Sequence, residues 1–119
     1  MEEIQKMNFE KSVRRRLDLL LKTGKLLVES SADTSRILRN MKRTAAYLGL
    51  TEDKLHIHIT YGMLMVNFSD EEHSFSKFQR CVHHGINMAA ISALSKLSWT
   101  AIREDYSLGK YEEELEKIA

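Results

Sequence analysis

The chain has 119 residues, the length of one domain with a single hydrophobic core. Hydrophobic residues make up 43% and charged residues 29%, as is typical of a soluble globular protein. The formal net charge of +1 lacks the positive excess of a nucleic-acid-binding domain, so we expect no nucleic-acid partner.

The sequence contains no signal for secretion or for membrane insertion. Cys81 is the only cysteine, which excludes an internal disulfide and suits a reducing compartment. The first residues are polar and lack the apolar stretch of a signal peptide. The longest apolar run, 63–68, is far shorter than the roughly 18 to 20 residues of a membrane helix. We therefore expect the chain itself to be soluble.

The first predicted element is a long helix over residues 9–29, preceded by a polar stretch, 1–8, that we expect to fray. Gly24 costs such a helix up to about 1 kcal/mol relative to alanine, and a close helix crossing would explain its presence. Spacings of three and four define the apolar face, which comprises Phe9, Val13, Leu17, Leu20, Gly24, Leu27 and Val28.

A polar corner follows at residues 29–36. Ser30 and Asp33 fit the S-x-x-D form of a capping box, in which the serine accepts from the backbone amide three positions on. Asp33, Thr34 and Arg36 place a carboxylate, a hydroxyl and a guanidinium at the start of the next helix, where geometry and the helix dipole favour an anion. A well-capped helix without a ligand is the alternative interpretation.

The second predicted helix runs from the corner to about residue 48, with Gly49 as its left-handed C′ residue. Alternating apolar residues then predict a strand over 55–60, and residues 63–68 predict a central strand that is covered on both faces. A third strand is expected over 73–82, with Phe75 and Phe78 as its anchors. Short links between the strands favour an antiparallel meander.

Two helices complete the chain. Asn87 is a natural N-cap for a helix over 88–104, and Ser107 caps the last one. We therefore predict an α+β fold in the order ααβββαα, with residues 1–119 as one soluble domain. Met63, Met65 and Met88 are expected to lie in its core.

The residues that could act in catalysis or bind a metal do not follow the spacing of a known catalytic or metal-binding motif. His56 and His58 share one face of a strand, but no carboxylate or cysteine lies at ligand spacing, so we expect no metal and no cofactor. Cys81 has basic neighbours, yet a partly buried strand cysteine is the simpler interpretation. Neither the glycine-rich loop of a phosphate-binding site nor the strained elbow of a hydrolase nucleophile is present. We expect no enzymatic activity.

Three stretches resemble the threonine/serine exporter family. Residues 26–37 read Leu-Leu-Val-Glu-Ser-Ser-Ala-Asp-Thr-Ser-Arg-Ile, where that family's N-terminal domain typically carries LLESGA(D/E)T-x-R(V/I). Residues 47–50, Tyr-Leu-Gly-Leu, close the helix, and Gly-Ile-Asn-Met at 85–88 opens another. The resemblance covers roughly residues 17–118. Ser31 stands where the family usually has glycine, and Leu38 where an acidic residue is common.

The family-like spacing implies that two groups of polar residues converge. Asp33 and Arg36 carry the charges that would bind the amine and the carboxylate of a small amino acid, although they could equally pair with each other. The predicted substrate-binding or gating residues are Asp33, Thr34, Arg36, Thr60, His84 and Asn87.

The resemblance implies a non-catalytic cytosolic N-terminal domain or subunit of a membrane exporter for threonine, serine or a similar small amino or organic acid. It would lie at the cytoplasmic face of the cell membrane and gate or assemble a membrane-embedded half on the same or a separate chain. A small hydrolase-like domain with Asp33 and His84 as acid/base groups, and His83 as a further candidate, is the alternative. A plain oligomeric scaffold is a third. The edges of a three-stranded sheet favour a homo-oligomer.

Overall fold

The computed structural model describes residues 2–119 and has the predicted α+β fold. Four helices and a three-stranded antiparallel sheet occur in the order ααβββαα, and the sheet order is β1-β2-β3. The elements are α1 Glu2–Glu29, α2 Thr34–Tyr47, β1 Leu55–Thr60, β2 Met63–Ser69, β3 Ser74–Arg80, α3 Met88–Arg103 and α4 Leu108–Ile118, with a short 3-10 turn at Glu52–Lys54.

Helix α1 begins earlier than predicted, at Glu2 and not at residue 9. The expectation that residues 2–8 fray is therefore wrong, and Met1 lies outside the described residues. Glu2 and Glu3 in the first turn complement the helix dipole. Fully buried residues along α1 begin only at Val13, although the Phe9 ring lies near His73, with centroids 5.3 Å apart.

Glycine 24 lies where α1 crosses its neighbours most closely, as the sequence predicted. A Cβ atom at this position would be 2.5 Å from Leu64 Cδ2 on β2 and 2.8 Å from Met41 Cε on α2. Both side chains are fully buried. The absence of a side chain thus lets the helix lie between the sheet and α2.

Only one face of the sheet is covered. Leu64 and Val66 of β2 are buried against the helices, whereas Met63 of the same strand is 46% exposed and Phe78 of β3 is 64% exposed. The predictions that β2 is covered on both faces and that Phe78 anchors β3 are therefore wrong. An apolar run does not reveal how many layers cover it, and here the helices lie on one side.

Two further predictions about this region need correction. Met63 and Met88 are exposed and Met65 is half-buried, so these methionines do not form part of the buried core. Strand β3 ends at Arg80, two residues before the predicted end. The backbone leaves the sheet there because it turns toward the polar corner, as described below.

The helices are also tied together by a buried polar contact. Thr23 of α1 and Tyr111 of α4 are buried and share a hydrogen bond of 2.6 Å between their hydroxyl groups. Burial raises the pKa of Tyr111, and the hydrogen bond with Thr23 opposes that rise.

Among residues 2–119, none of the helices combines the length and the apolar composition that a bilayer crossing requires.

Candidate functional site

The start of α2 is capped by Asp33. Its backbone is extended, with φ −70° and ψ 158°, and its Oδ1 accepts a hydrogen bond of 2.8 Å from the backbone amide of Arg36. This contact satisfies one of the amide groups that a helix start leaves without a partner. The carboxylate therefore occupies part of the position that an anionic ligand would take.

The predicted capping box is wrong, because Ser30 belongs to the end of α1. Its backbone amide donates to the Leu26 carbonyl at 2.9 Å, as in a continuing helix, and the residue is buried. The chain then reverses at Ser31, which has a φ of 61° in the left-handed region. This geometry explains why glycine is usual at that position in the pattern that the sequence resembles.

The corner carries an accessible carboxylate and a guanidinium that do not pair with each other. Asp33 and Thr34 are exposed and Arg36 is half-buried. Within residues 2–119, Asp33 and Arg36 form no ion pair within 4.0 Å, and the Asp33 carboxylate accepts a hydrogen bond only from the backbone amide of Arg36. The Arg36 guanidinium is therefore available for a further interaction.

The segment 81–87 brings the start of α3 to this corner. The His84 amide donates to the Glu29 carbonyl at 3.2 Å, and the Asn87 amide donates to the Ser30 carbonyl at 3.1 Å. The Glu29 carboxylate also accepts from the Val82 amide at 2.8 Å. These contacts attach the segment 81–87 to the end of α1. Within residues 2–119, no hydrogen bond or ion pair joins His84 or Asn87 to Asp33, Thr34 or Arg36, so the convergence of these polar side chains stays a prediction.

Asn87 is the N-cap of α3, as predicted. Its Oδ1 accepts from the Ala90 amide at 3.0 Å. Its own amide is bound to the corner, so one residue caps α3 and fixes its position relative to the end of α1. The side chain of His84 is exposed.

Thr60 is connected to this region only through the β1–β2 turn. Its hydroxyl donates to the Met63 carbonyl across the turn at 3.3 Å. The turn itself contacts the segment 81–87 in two places: the Gly62 carbonyl accepts from the Cys81 amide at 2.9 Å, and the Tyr61 ring stacks on His83 with centroids 4.8 Å apart. Sequence reasoning missed Tyr61, which is 92% exposed.

The geometry does not assemble acid/base or nucleophilic chemistry here. The Asp33 carboxylate is bound to an amide, and within residues 2–119 it makes no hydrogen bond with His84. Burial, and secondarily the negative charge of Glu29, raises the pKa of the Cys81 thiol, which disfavours the reactive thiolate. Within the same range, no group of three or more histidine, cysteine or acidic side chains is placed to hold a metal ion.

A groove that the sequence did not reveal lies between α2 and β1. It has a volume of about 550 Å³ and a mainly apolar lining that includes Leu38, Ala45 and Ile57. Lys42 and Glu52, 3.7 Å apart and well exposed, also line it. None of the six predicted site residues does. Leu38, which replaces a commonly acidic residue, was the one signal in the sequence for this apolar surface.

Comparison with models of known protein families places the chain in one of them. A family model described as "Putative threonine/serine exporter" matches residues 18–119. Searches of curated proteins and of solved structures found no match. The matched range contains the corner, the sheet and the segment 81–87, and it extends from the buried part of α1 to the end of α4. The chain belongs to the threonine/serine exporter family.

Proposed function

We propose that this chain is the cytosolic N-terminal domain or subunit of an exporter for threonine, serine or a similar small amino or organic acid. The observation that carries the proposal is the family match over residues 18–119, which spans every strand and most of the helical residues. The family is one of transporters, and we infer that this part of the exporter is non-catalytic.

The corner is our candidate for contact with solute or with the membrane-embedded half of the exporter. In support, Arg36 supplies a guanidinium without an ion pair and Asp33 an accessible carboxylate. The backbone contacts of His84 and Asn87 hold a second helix start beside them. A change at the corner would therefore be transmitted to α3 and to the β1–β2 turn, as gating or assembly at the cytoplasmic face of the membrane requires.

The test is Arg36→Ala, measured in two ways. The Asp33 cap uses the backbone amide of Arg36, so truncation of the side chain should leave the helix start and the melting temperature of this chain unchanged. In cells that express the complete exporter, efflux of threonine and serine should be lost, because the substitution removes the guanidinium that we assign to the contact.

The matched control is Lys11→Ala, which removes one exposed cation from α1. Its efflux should equal that of the wild type. Normal efflux in Arg36→Ala would contradict the proposed role of the corner. So would a fall of several degrees in the melting temperature, since Arg36 would then be structural.

We further infer that the chain forms a homo-oligomer. The open face of the sheet exposes Phe78 and Met63, which single-chain packing leaves in water. In a symmetric dimer, the open face of each chain would cover the open face of the other.

A further inference from the structure

Helices α2 and α3 lie side by side and run in the same direction. Their starts are joined by the hydrogen bond from the Asn87 amide to Ser30, and further along Arg43 of α2 contacts Ser98 of α3. The outer surface of this pair is formed by Arg36, Arg39 and Arg43 of α2 with Trp99 of α3. We call it the arginine–tryptophan face.

The positive charge of this face is not neutralised within the chain. Helix α2 carries four basic residues and no acidic one, although the whole chain has a net charge of only +1. Within residues 2–119, its only ion pair joins Lys42 to Glu52, on the side of the groove. Two acidic groups at the ends of these helices are already engaged, since Asp33 caps α2 and Glu104 pairs with Arg103 at 3.3 Å.

Arg43 is held in place by buried partners. Its Nη1 donates to Asn40 Oδ1 at 2.9 Å and to Ser98 Oγ at 3.1 Å, and both of these residues are almost fully buried. Its Cζ lies 4.0 Å from the centroid of the Trp99 ring. Within residues 2–119, Nε and Nη2 have no hydrogen-bond acceptor. The guanidinium is therefore preorganised, with two donor groups left for an external anion.

The same face exposes large apolar side chains. Trp99 is 56% exposed, and Ile102, one turn further along α3, is 44% exposed. Tryptophan with arginine is the combination that suits the boundary between lipid headgroups and acyl chains, because the ring enters the boundary while the cations bind phosphate. A purely ionic ligand would leave the ring and the isoleucine in water.

We propose that the arginine–tryptophan face docks on the headgroups of an anionic phospholipid surface. Arg36, Arg39 and Arg43 bind lipid phosphates and carboxylates, and Trp99 and Ile102 enter the interface. The proposal rests on this surface and not on the transport role, so it can fail while the proposed function stands, and the reverse also holds.

Trp99 is the only tryptophan of the chain, so its fluorescence reports the contact directly. The purified chain is mixed with vesicles of phosphatidylcholine alone, or of phosphatidylcholine with phosphatidylserine. We expect a shift of the emission to shorter wavelength and co-sedimentation with the anionic vesicles only. Both should weaken as salt rises, because exposed charges are screened.

The decisive variant is Arg39→Gln, since Arg39 is exposed and makes no hydrogen bond within residues 2–119. We expect its affinity for anionic vesicles to fall about fivefold, and that of Arg36→Gln/Arg39→Gln to fall on the order of twentyfold. The control Lys6→Gln/Lys11→Gln removes the same charge from α1 and should bind as the wild type does. Unchanged circular dichroism shows that each variant is folded.

Three results would overturn the proposal. The first is the absence of an emission shift with anionic vesicles. The second is equal binding to vesicles of phosphatidylcholine alone. The third is equal loss in the Arg39 variants and the α1 control, which would reflect net charge only. Binding that requires the membrane-embedded half in phosphatidylcholine vesicles would assign the face to a protein partner instead.

Discussion

Ser31 has a strained backbone conformation at the corner. Its φ of 61° lies in the left-handed region, which costs a residue with a Cβ atom about 1 to 2 kcal/mol. Glycine avoids this strain but loses more conformational entropy on folding. We expect Ser31→Gly to raise the free energy of unfolding by up to about 1 kcal/mol, measured by urea denaturation.

The control for this change is Ser35→Gly within α2. The same chemical substitution should there lower the free energy of unfolding by about 0.5 kcal/mol, because glycine is the weaker helix former. A loss of stability in both variants would contradict the strain assigned to Ser31.

At Gly24, by contrast, we expect a substitution to lower the free energy of unfolding. Alanine is the better helix former by about 1 kcal/mol, yet its Cβ would lie 2.5 Å from Leu64 Cδ2 and 2.8 Å from Met41 Cε. Both neighbours are fully buried, so their displacement overpacks the core at a cost of about 1 to 3 kcal/mol. We expect Gly24→Ala to be destabilised by about 1 kcal/mol in thermal or urea unfolding.

Gly109 provides the matched control for that substitution. It is also a helical glycine, but a Cβ there would meet no atom within 4 Å. Gly109→Ala should therefore raise the free energy of unfolding by a few tenths up to about 1 kcal/mol. Stabilisation by both substitutions would show that the crossing at Gly24 tolerates a side chain.

At the scale of elements, local signals in the sequence were sufficient for most of the fold. The switch from helical to alternating apolar spacing located the three strands, and Asn87 and Ser107 marked the starts of α3 and α4. These features depend on neighbours along the chain. The open face of the sheet could not be predicted in this way, because burial of Met63 or Phe78 depends on where distant helices pack.

In the candidate site, too, features set by neighbours along the chain could be predicted, whereas contacts between distant segments could not. Asp33 was predicted in the first turn of a helix as the partner of Ser30 in a capping box, whereas the structure makes Asp33 itself the N-cap of α2. The capping box failed because the sequence could not show that the Ser30 amide still donates to the Leu26 carbonyl at the end of α1. The contacts of His84 and Asn87 with the end of α1 are made by backbone groups. Because nearly every residue type has the same backbone groups, the sequence could not indicate these contacts.

The turn between β2 and β3 provides a prediction about pH. The backbone amide of Glu72, followed by that of His73, holds the pKa of Asp70 below its ordinary value of 3.8. A folded-state pKa that is lowered contributes stability above the unfolded value, and this stability is lost as pH falls through the folded value.

The expected outcome concerns Asp70→Asn, compared with the wild type by melting temperature between pH 7 and pH 2. The variant should melt at the lower temperature near neutral pH, where the charged carboxylate accepts from both amides. The difference should narrow as pH falls below 3.8 and the carboxylate is protonated. A difference that does not change with pH would show that the charge has no role in the turn.

At the scale of the whole molecule, the arginine–tryptophan face and the open face of the sheet lie on different elements. Unpaired arginines lie on α2, and an exposed tryptophan lies beside them on α3. The sheet instead exposes apolar side chains on its open face, away from the helices that cover Leu64 and Val66. These surfaces do not share residues, so the proposed contacts with a lipid surface and with a second copy can be tested by separate substitutions.

Self-association is the property that this open face predicts. Phe78 is 64% exposed on β3, and its cross-strand neighbours in the register are Met65 on β2 and, one strand further, His58 on β1. Two such sheets packed face to face, with the sheets about 10 Å apart, would bury these side chains between them in a symmetric dimer. Analytical ultracentrifugation of the wild-type chain should show a dimer that dissociates on dilution.

Phe78→Glu should be monomeric at the same concentration, because a dimer would bury two unpaired carboxylates. The control Ile4→Glu alters a residue of nearly equal exposure, 62%, on α1, and it should dimerise like the wild type. A wild-type chain that remains monomeric at high concentration, or a dimer that persists in Phe78→Glu, would contradict an interface at the open face of the sheet.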